Sequence, residues 1–112
     1  MKTYCLTLDL HDDPELIAAY KQYHKPETIW PEVVDSIKSQ GILSEEIYLL
    51  GTRLVMVLRT SDEFSFEAKS AADRANPKMR EWEKLMWKYQ KPLPQTRPGE
   101  KWIQMEKIFS CD

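Results

Sequence analysis

A chain of 112 residues and 13.3 kDa has the size of one domain spanning 1–112, and area scaling lets about two-thirds of its extended surface be buried without staples. Its 42% hydrophobic and 30% charged residues exclude a disordered or collagen-like chain. Sixteen Lys and Arg against eighteen Asp and Glu leave a net charge of −2, which gives no field for nucleic acid or an anionic membrane surface.

No apolar run approaches the ~20 residues of a membrane-spanning helix. Asp9 interrupts the N-terminal apolar stretch before a secretory segment forms. The expectation is a cytoplasmic protein with neither membrane nor nucleic-acid partners. Cys5 and Cys111 lie at opposite ends of the chain without paired spacing, which reads as two reduced thiols and no metal site.

Along residues 2–10, Tyr4, Leu6, Leu8 and Leu10 alternate with Cys5, Thr7 and Asp9, the period of a half-buried strand. Asp13-Pro14-Glu15 is a helix start, with a carboxylate cap, proline in the first turn and an acid at the positive dipole end. That helix should run to about Tyr23. Pro26 ends it, and Pro31 opens a second helix to about Ser39, closed by Gly41. Residues 42–50 and 52–60, rich in branched side chains and joined at Gly51, read as an antiparallel hairpin. Ser61-Asp62-Glu63 opens a helical stretch interrupted at Asn76-Pro77. A further helix over about 78–91 carries Met79, Trp82, Leu85, Met86 and Tyr89 on one side. After a proline-rich loop, Lys101–Phe109 reads as a last strand whose alternation slips between Met105 and Ile108.

The order β-α-β-β-α-β, with its helical segments divided by prolines, is an α+β ferredoxin-like split βαβ arrangement: a four-stranded antiparallel sheet with helices on one face. The uncovered sheet face needs a cover, so a homodimer forming a dimeric α+β barrel is expected.

Two histidines are present. His24 follows Tyr20 by one helical turn, placing imidazole and phenol on one face as a proton-transfer pair, although a helix-end histidine favoured by the dipole gives the same pattern. His11, between acids in a turn, reads as a solvated loop residue. Trp30, Trp82, Trp87, Tyr20 and Tyr48 lie near the first helix or on elements that can pack beside it. Rings with polar tips suit sugars, but Trp82 at helical spacing also suits a core. No phosphate-cradling glycine pattern or nucleophile elbow is found.

Tyr20-x-x-x-His24, the block Ile29-Trp30-Pro31-Glu32, Ile47-Tyr48-Leu49 and the Trp82-x-Lys-x-Met helix together resemble the L-rhamnose mutarotase family over nearly the whole chain. The resemblance implies a homodimer that interconverts the α and β anomers of a 6-deoxy-hexopyranose with no cofactor. In that reading His24 matches the proton-donor histidine, and Tyr20, Tyr48 and Trp82 match sugar-contacting positions. Where rhamnose-type members carry a Trp-Trp pair, this chain has Trp82-Glu83. Two additional residues, around Glu27-Thr28, also separate His24 from Trp30. L-fucose therefore stands beside L-rhamnose as substrate.

Mutarotation needs one acid and one base, each supplying ~10²–10⁴ in rate. An imidazolium at His24 is expected to protonate the ring oxygen. The base is open among Tyr20 or Tyr48 through a water and Glu83, and Trp82 with Trp30 should wall the sugar. A cofactor-independent oxygenase of the dimeric barrel type and a non-catalytic small-ligand-binding dimer are the competing readings.

Overall fold

The alternation of the first residues forms β1, Lys2–Leu10, with Leu6, Leu8 and Leu10 buried and Cys5, Thr7 and Asp9 on the opposite face. The computed structural model describes all 112 residues. Asp13 caps α1, Pro14–Tyr23, its carboxylate accepting from the backbone N–H groups of Glu15 at 2.9 Å and Leu16 at 3.3 Å. Pro31 opens α2, Pro31–Ser39. Gly41, at φ 83°, then turns the chain into the hairpin of β2, Ile42–Leu50, and β3, Arg53–Thr60, closed by Gly51 at φ 62°. Two further helices follow, α3, Phe66–Ala75, and α4, Pro77–Trp87, and then two short strands, β4, Gln90–Lys91, and β5, Ile103–Gln104.

All strand pairs are antiparallel, in the order β2-β3-β1-β4, with β5 also on β1. The fourth strand position is therefore shared. β4 pairs Lys91 with Asp9, and β5 pairs Ile103 with Thr7. The helices cover one face, as expected of the ferredoxin-like arrangement. A larger core cluster joins Leu10 and Leu54 of the sheet to Tyr20, Val33, Met79, Trp82 and Met86 of the helices, and a smaller one gathers Leu6, Ile42, Leu58 and Phe64.

Three segments differ from the sequence expectation. Helix α3 begins at Phe66, because Ser65 rather than residues 61–63 supplies the cap, its hydroxyl accepting from Ala68 N–H at 3.1 Å. Helix α4 ends at Trp87, and the chain turns so that buried Tyr89 and Gln90 return to the sheet. The last strand is only Ile103–Gln104, extended by the N–H of Met105 donating to the carbonyl of Cys5. Past Trp102, the alternate positions facing the helices hold Gln104 and Glu106. These polar side chains gain nothing by burial, so no packing sustains the strand to Phe109.

One irregularity decides the site. Ile42 pairs with Thr60 but Ser44 pairs with Arg59, so Leu43 is an extra residue, a β-bulge. Beyond it Glu45, Ile47 and Leu49 oppose Leu58, Met56 and Leu54 and share the helix face with them. Glu46 and Tyr48 turn to the other face.

Candidate functional site

Helix α1 ends at His24, which occupies its C-cap. The imidazole Nδ1 lies 2.7 Å from the carbonyl oxygen of Tyr20. A carbonyl can only accept, so Nδ1 donates, and in the neutral ring Nε2 carries the lone pair. The ring is held between two others, Tyr20 at a centroid distance of 4.4 Å and Trp82 at 5.5 Å, the latter edge-on. Trp30 packs edge-on against Trp82 at 5.2 Å. Burial pushes the His24 pKa down, opposed in part by the Tyr20 carbonyl. Burial thus disfavours the imidazolium and leaves the Nε2 lone pair free.

Tyr20 is 3% exposed, and its phenol oxygen accepts a hydrogen bond from Nε2 of buried Gln90 at 3.2 Å. Burial raises its pKa to about 12, outweighing the Gln90 bond. The phenol stays protonated and is unsuited to act as the base; through its carbonyl and its ring face Tyr20 orients His24.

His24 lines a cavity of about 340 Å³ between the end of α1, α2 and the start of β2, within the about 300–1,000 Å³ typical of small-molecule sites. Ile29, Val34, Ile37 and Ile47 give it apolar walls, and Lys38, Ser44 and Glu45 bring polar groups. The Ser44 hydroxyl is buried without a hydrogen-bond partner. Burial raises the Glu45 pKa, with Lys69 opposing and Asp73 adding to the shift.

The other predicted residues are placed differently. Tyr48 is 58% exposed on the opposite sheet face, its hydroxyl 3.5 Å from Glu46, so within one subunit it does not meet His24. Glu83 is engaged by Lys101, with Nζ 2.6 Å from its carboxylate while the same ammonium sits over the Trp87 ring, and it does not line the cavity. Trp82, 6% exposed, belongs to the core and braces the imidazole rather than walling this cavity. Half-buried Trp30 carries the Lys78 ammonium over its ring and packs against Trp82. The walls of this cavity are isoleucine and valine, with the two indoles behind the imidazole.

Sequence reading missed Ser44 and Glu45. A signal was present: two consecutive carboxylates in a strand, Glu45-Glu46, must lie on opposite faces, so one had to point at the helices. A larger cleft of about 470 Å³ lies at Asp9, Arg53 and Lys91–Gln95. There Arg53 is paired with Asp9, and no histidine or cysteine lines the cleft. No group of three or more His, Cys, Asp or Glu side chains forms a metal site, and no helix is long and apolar enough to cross a membrane.

A family model described as L-rhamnose mutarotase matches residues 3–111. The chain is 46% identical over 110 residues to an L-fucose mutarotase of Xanthomonas campestris pv. campestris, covering 98% of this chain and 88% of that one. It is 36% identical over 115 residues to a protein of Dictyostelium discoideum, covering 99% and 90% of the two chains. Among solved structures, an L-rhamnose mutarotase from Formosa agariphila superposes with a TM-score of 0.71 at 18% identity, covering 100% of both chains. Tetracenomycin F2 cyclase from Streptomyces glaucescens, a type-II polyketide cyclase, gives 0.63 at 11% identity, again over 100% of both. These last two likenesses concern the fold alone.

Proposed function

Because the chain belongs to the L-rhamnose mutarotase family, we propose that residues 1–112 form one catalytic domain that interconverts the α and β anomers of a 6-deoxy-hexopyranose. The observation that carries this reading is a neutral imidazole, pinned at Nδ1 and lining a cavity of small-molecule size. In the ring form the sugar has an anomeric hydroxyl to lose a proton and a ring oxygen to gain one. Nε2 of His24 can take the first proton while a second acid protonates the ring oxygen, and when the ring closes on the other face of the aldehyde the imidazolium returns its proton to O1 and the ring oxygen gives its own back to that second group. Each such positioned transfer contributes ~10²–10⁴ in rate. Two such groups, one acid and one base, suffice for a reaction that already proceeds in water.

The walls suit the substrate. Isoleucine and valine face a deoxygenated C6 methyl and C–H groups, while Lys38 and Glu45 can pair hydroxyls. The Xanthomonas relative carries the name L-fucose mutarotase, so L-fucose and L-rhamnose are the two sugars to compare first. The test is NMR magnetisation exchange between anomers. Purified protein should accelerate exchange of at least one of the two sugars in proportion to its concentration. Rates equal to buffer alone for both would end the proposal.

We further propose a homodimer closed through the open sheet face, without nucleic-acid or membrane partners. It would act in the cytoplasm, where the free thiols of Cys5 and Cys111 stay reduced. The chain exposes 7810 Å², about 1,300 Å² more than the ~6,500 Å² that scaling gives a monomer of its mass. Stable interfaces bury ~800 Å² per partner, so the excess is of the right order.

A further inference from the structure

A single imidazole leaves the reaction one proton-transfer group short, since the ring oxygen must be protonated while the anomeric hydroxyl is deprotonated. Tyr20 holds its proton up to about pH 12, Tyr48 is on the far face of the sheet and Glu83 is taken by Lys101. One carboxyl group remains in the cavity. The bulge at Leu43 turns Glu45 toward the helices, where it lines the same walls as His24. No ion pair or hydrogen bond holds its side chain, whereas nearby Lys69 is already bound to Asp73 at 2.7 Å and Asp73 also accepts from Gln40.

We propose that Glu45 is the second catalytic residue of this mutarotase, its carboxyl group exchanging a proton with the sugar's ring oxygen in the cavity it shares with His24. The step rests on the mutarotase reading and balances without a co-reactant. Glu45 donates its proton to the ring oxygen as the C1–O5 bond breaks, and Nε2 of His24 accepts the proton of the anomeric hydroxyl as the C1–O1 double bond forms. After rotation about C1–C2, O5 attacks the other face of the aldehyde. The Glu45 carboxylate recovers the O5 proton, and the imidazolium returns its proton to O1.

The groups that face Glu45 set its proton affinity. Burial among the isoleucines raises it, Lys69 of α3 lowers it and Asp73 of α3 raises it; Lys38 of α2 and His24 of α1 complete the lining of the cavity, and buried Tyr20 of α1 senses the Glu45 charge. The productive state has Glu45 protonated and His24 neutral. The rate should therefore fall on the acid side as His24 gains a proton and on the alkaline side as Glu45 loses one.

The experiment is anomer exchange by NMR across pH for the wild type, Glu45→Gln and Glu45→Asp, with folding checked by circular dichroism. Glu45→Gln should lose ~10²–10⁴ in kcat and lack the alkaline limb, whereas Glu45→Asp, which keeps a carboxyl group, should retain that limb and part of the rate. A Glu45→Gln protein with wild-type kcat and an unchanged pH profile overturns the assignment while leaving the mutarotase reading intact. Should Gln fail to fold, a Glu45→Asp protein whose alkaline limb is absent overturns it equally. A wild type that does not accelerate exchange removes both.

Discussion

His24 shows how a fold sets the protonation state of a single side chain. A histidine at an exposed helix end would gain a proton readily, because the C-terminal dipole favours the cation. Here burial against Tyr20 and Trp82 dominates and lowers its pKa, and the Tyr20 carbonyl fixes which nitrogen carries the hydrogen. His24→Ala should reduce anomer exchange ~10²–10⁴-fold in saturating-substrate assays, with circular dichroism confirming that the variant is folded. The wild-type rate should rise with pH through a value below 6.5. Stability carries the same signature. The folded-state pKa of His24 lies below its unfolded value, so the stability tied to the neutral ring is complete above about pH 6.5 and is lost as pH falls toward the folded value. Tyr20 behaves oppositely: its contribution is complete below pH 10 and is lost between 10 and about 12. That interval corresponds to roughly 2–3 kcal/mol, readable in alkaline thermal melts.

At the scale of elements, the sequence carries most of the architecture, because local chemistry and tertiary packing agree along β1, α1, α2 and the hairpin. Asp13-Pro14 and Pro31 mark helix starts, and the prolines and glycines mark the turns. Legibility stops where one residue changes the register. A strict alternation counted from buried Ile42 would place Ser44, Glu46 and Tyr48 on the helix face. The bulge at Leu43 exchanges them for Glu45 and Ile47, and no pattern of residue types announces a bulge. Tyr48, which the family resemblance sets among the sugar contacts, therefore lies on the open face of its own subunit, and Glu45 takes the helix-side position. Likewise Glu83 is a neighbour of Trp82 in sequence, but its partner is Lys101, on a distant loop. Gly41 tests how tightly the bulged end is held. A Cβ there would lie 2.8 Å from the Ser61 hydroxyl on a backbone already at φ 83°. Gly41→Ala should lower stability by about 1–3 kcal/mol, measured by urea unfolding, and reduce exchange activity because α2 and β2 frame the cavity.

For the molecule as a whole, the asymmetry of the two sheet faces is the dominant feature. The helix side holds both core clusters, whereas the other side presents Val55, Val57, Cys5, Thr7 and Tyr48, with Leu50 84% exposed at its rim. The C-terminal residues add Ile108 at 88% and Phe109 at 79% exposure. Such a surface is expected to pair with a second copy. Sedimentation equilibrium should give twice the 13.3 kDa chain mass, and Val57→Lys, which places an ammonium at the centre of the open face, should shift the population to monomer. A wild-type mass of one chain at micromolar concentration would contradict the dimer.

The shared edge of the sheet has a practical outcome. The chain leaves β1 at the pairing of Lys91 with Asp9 and rejoins it at Ile103 with Thr7, so the excursion between them begins and ends almost at the same point. Buried Leu93 and the Lys101–Glu83 pair fasten its two flanks, while its tip at Pro98-Gly99 is exposed. The entropy of closing a loop grows only slowly with length. A peptide tag or fluorescent reporter spliced between Pro98 and Gly99 would therefore ride outside the protein, giving a labelled enzyme whose catalytic machinery is undisturbed.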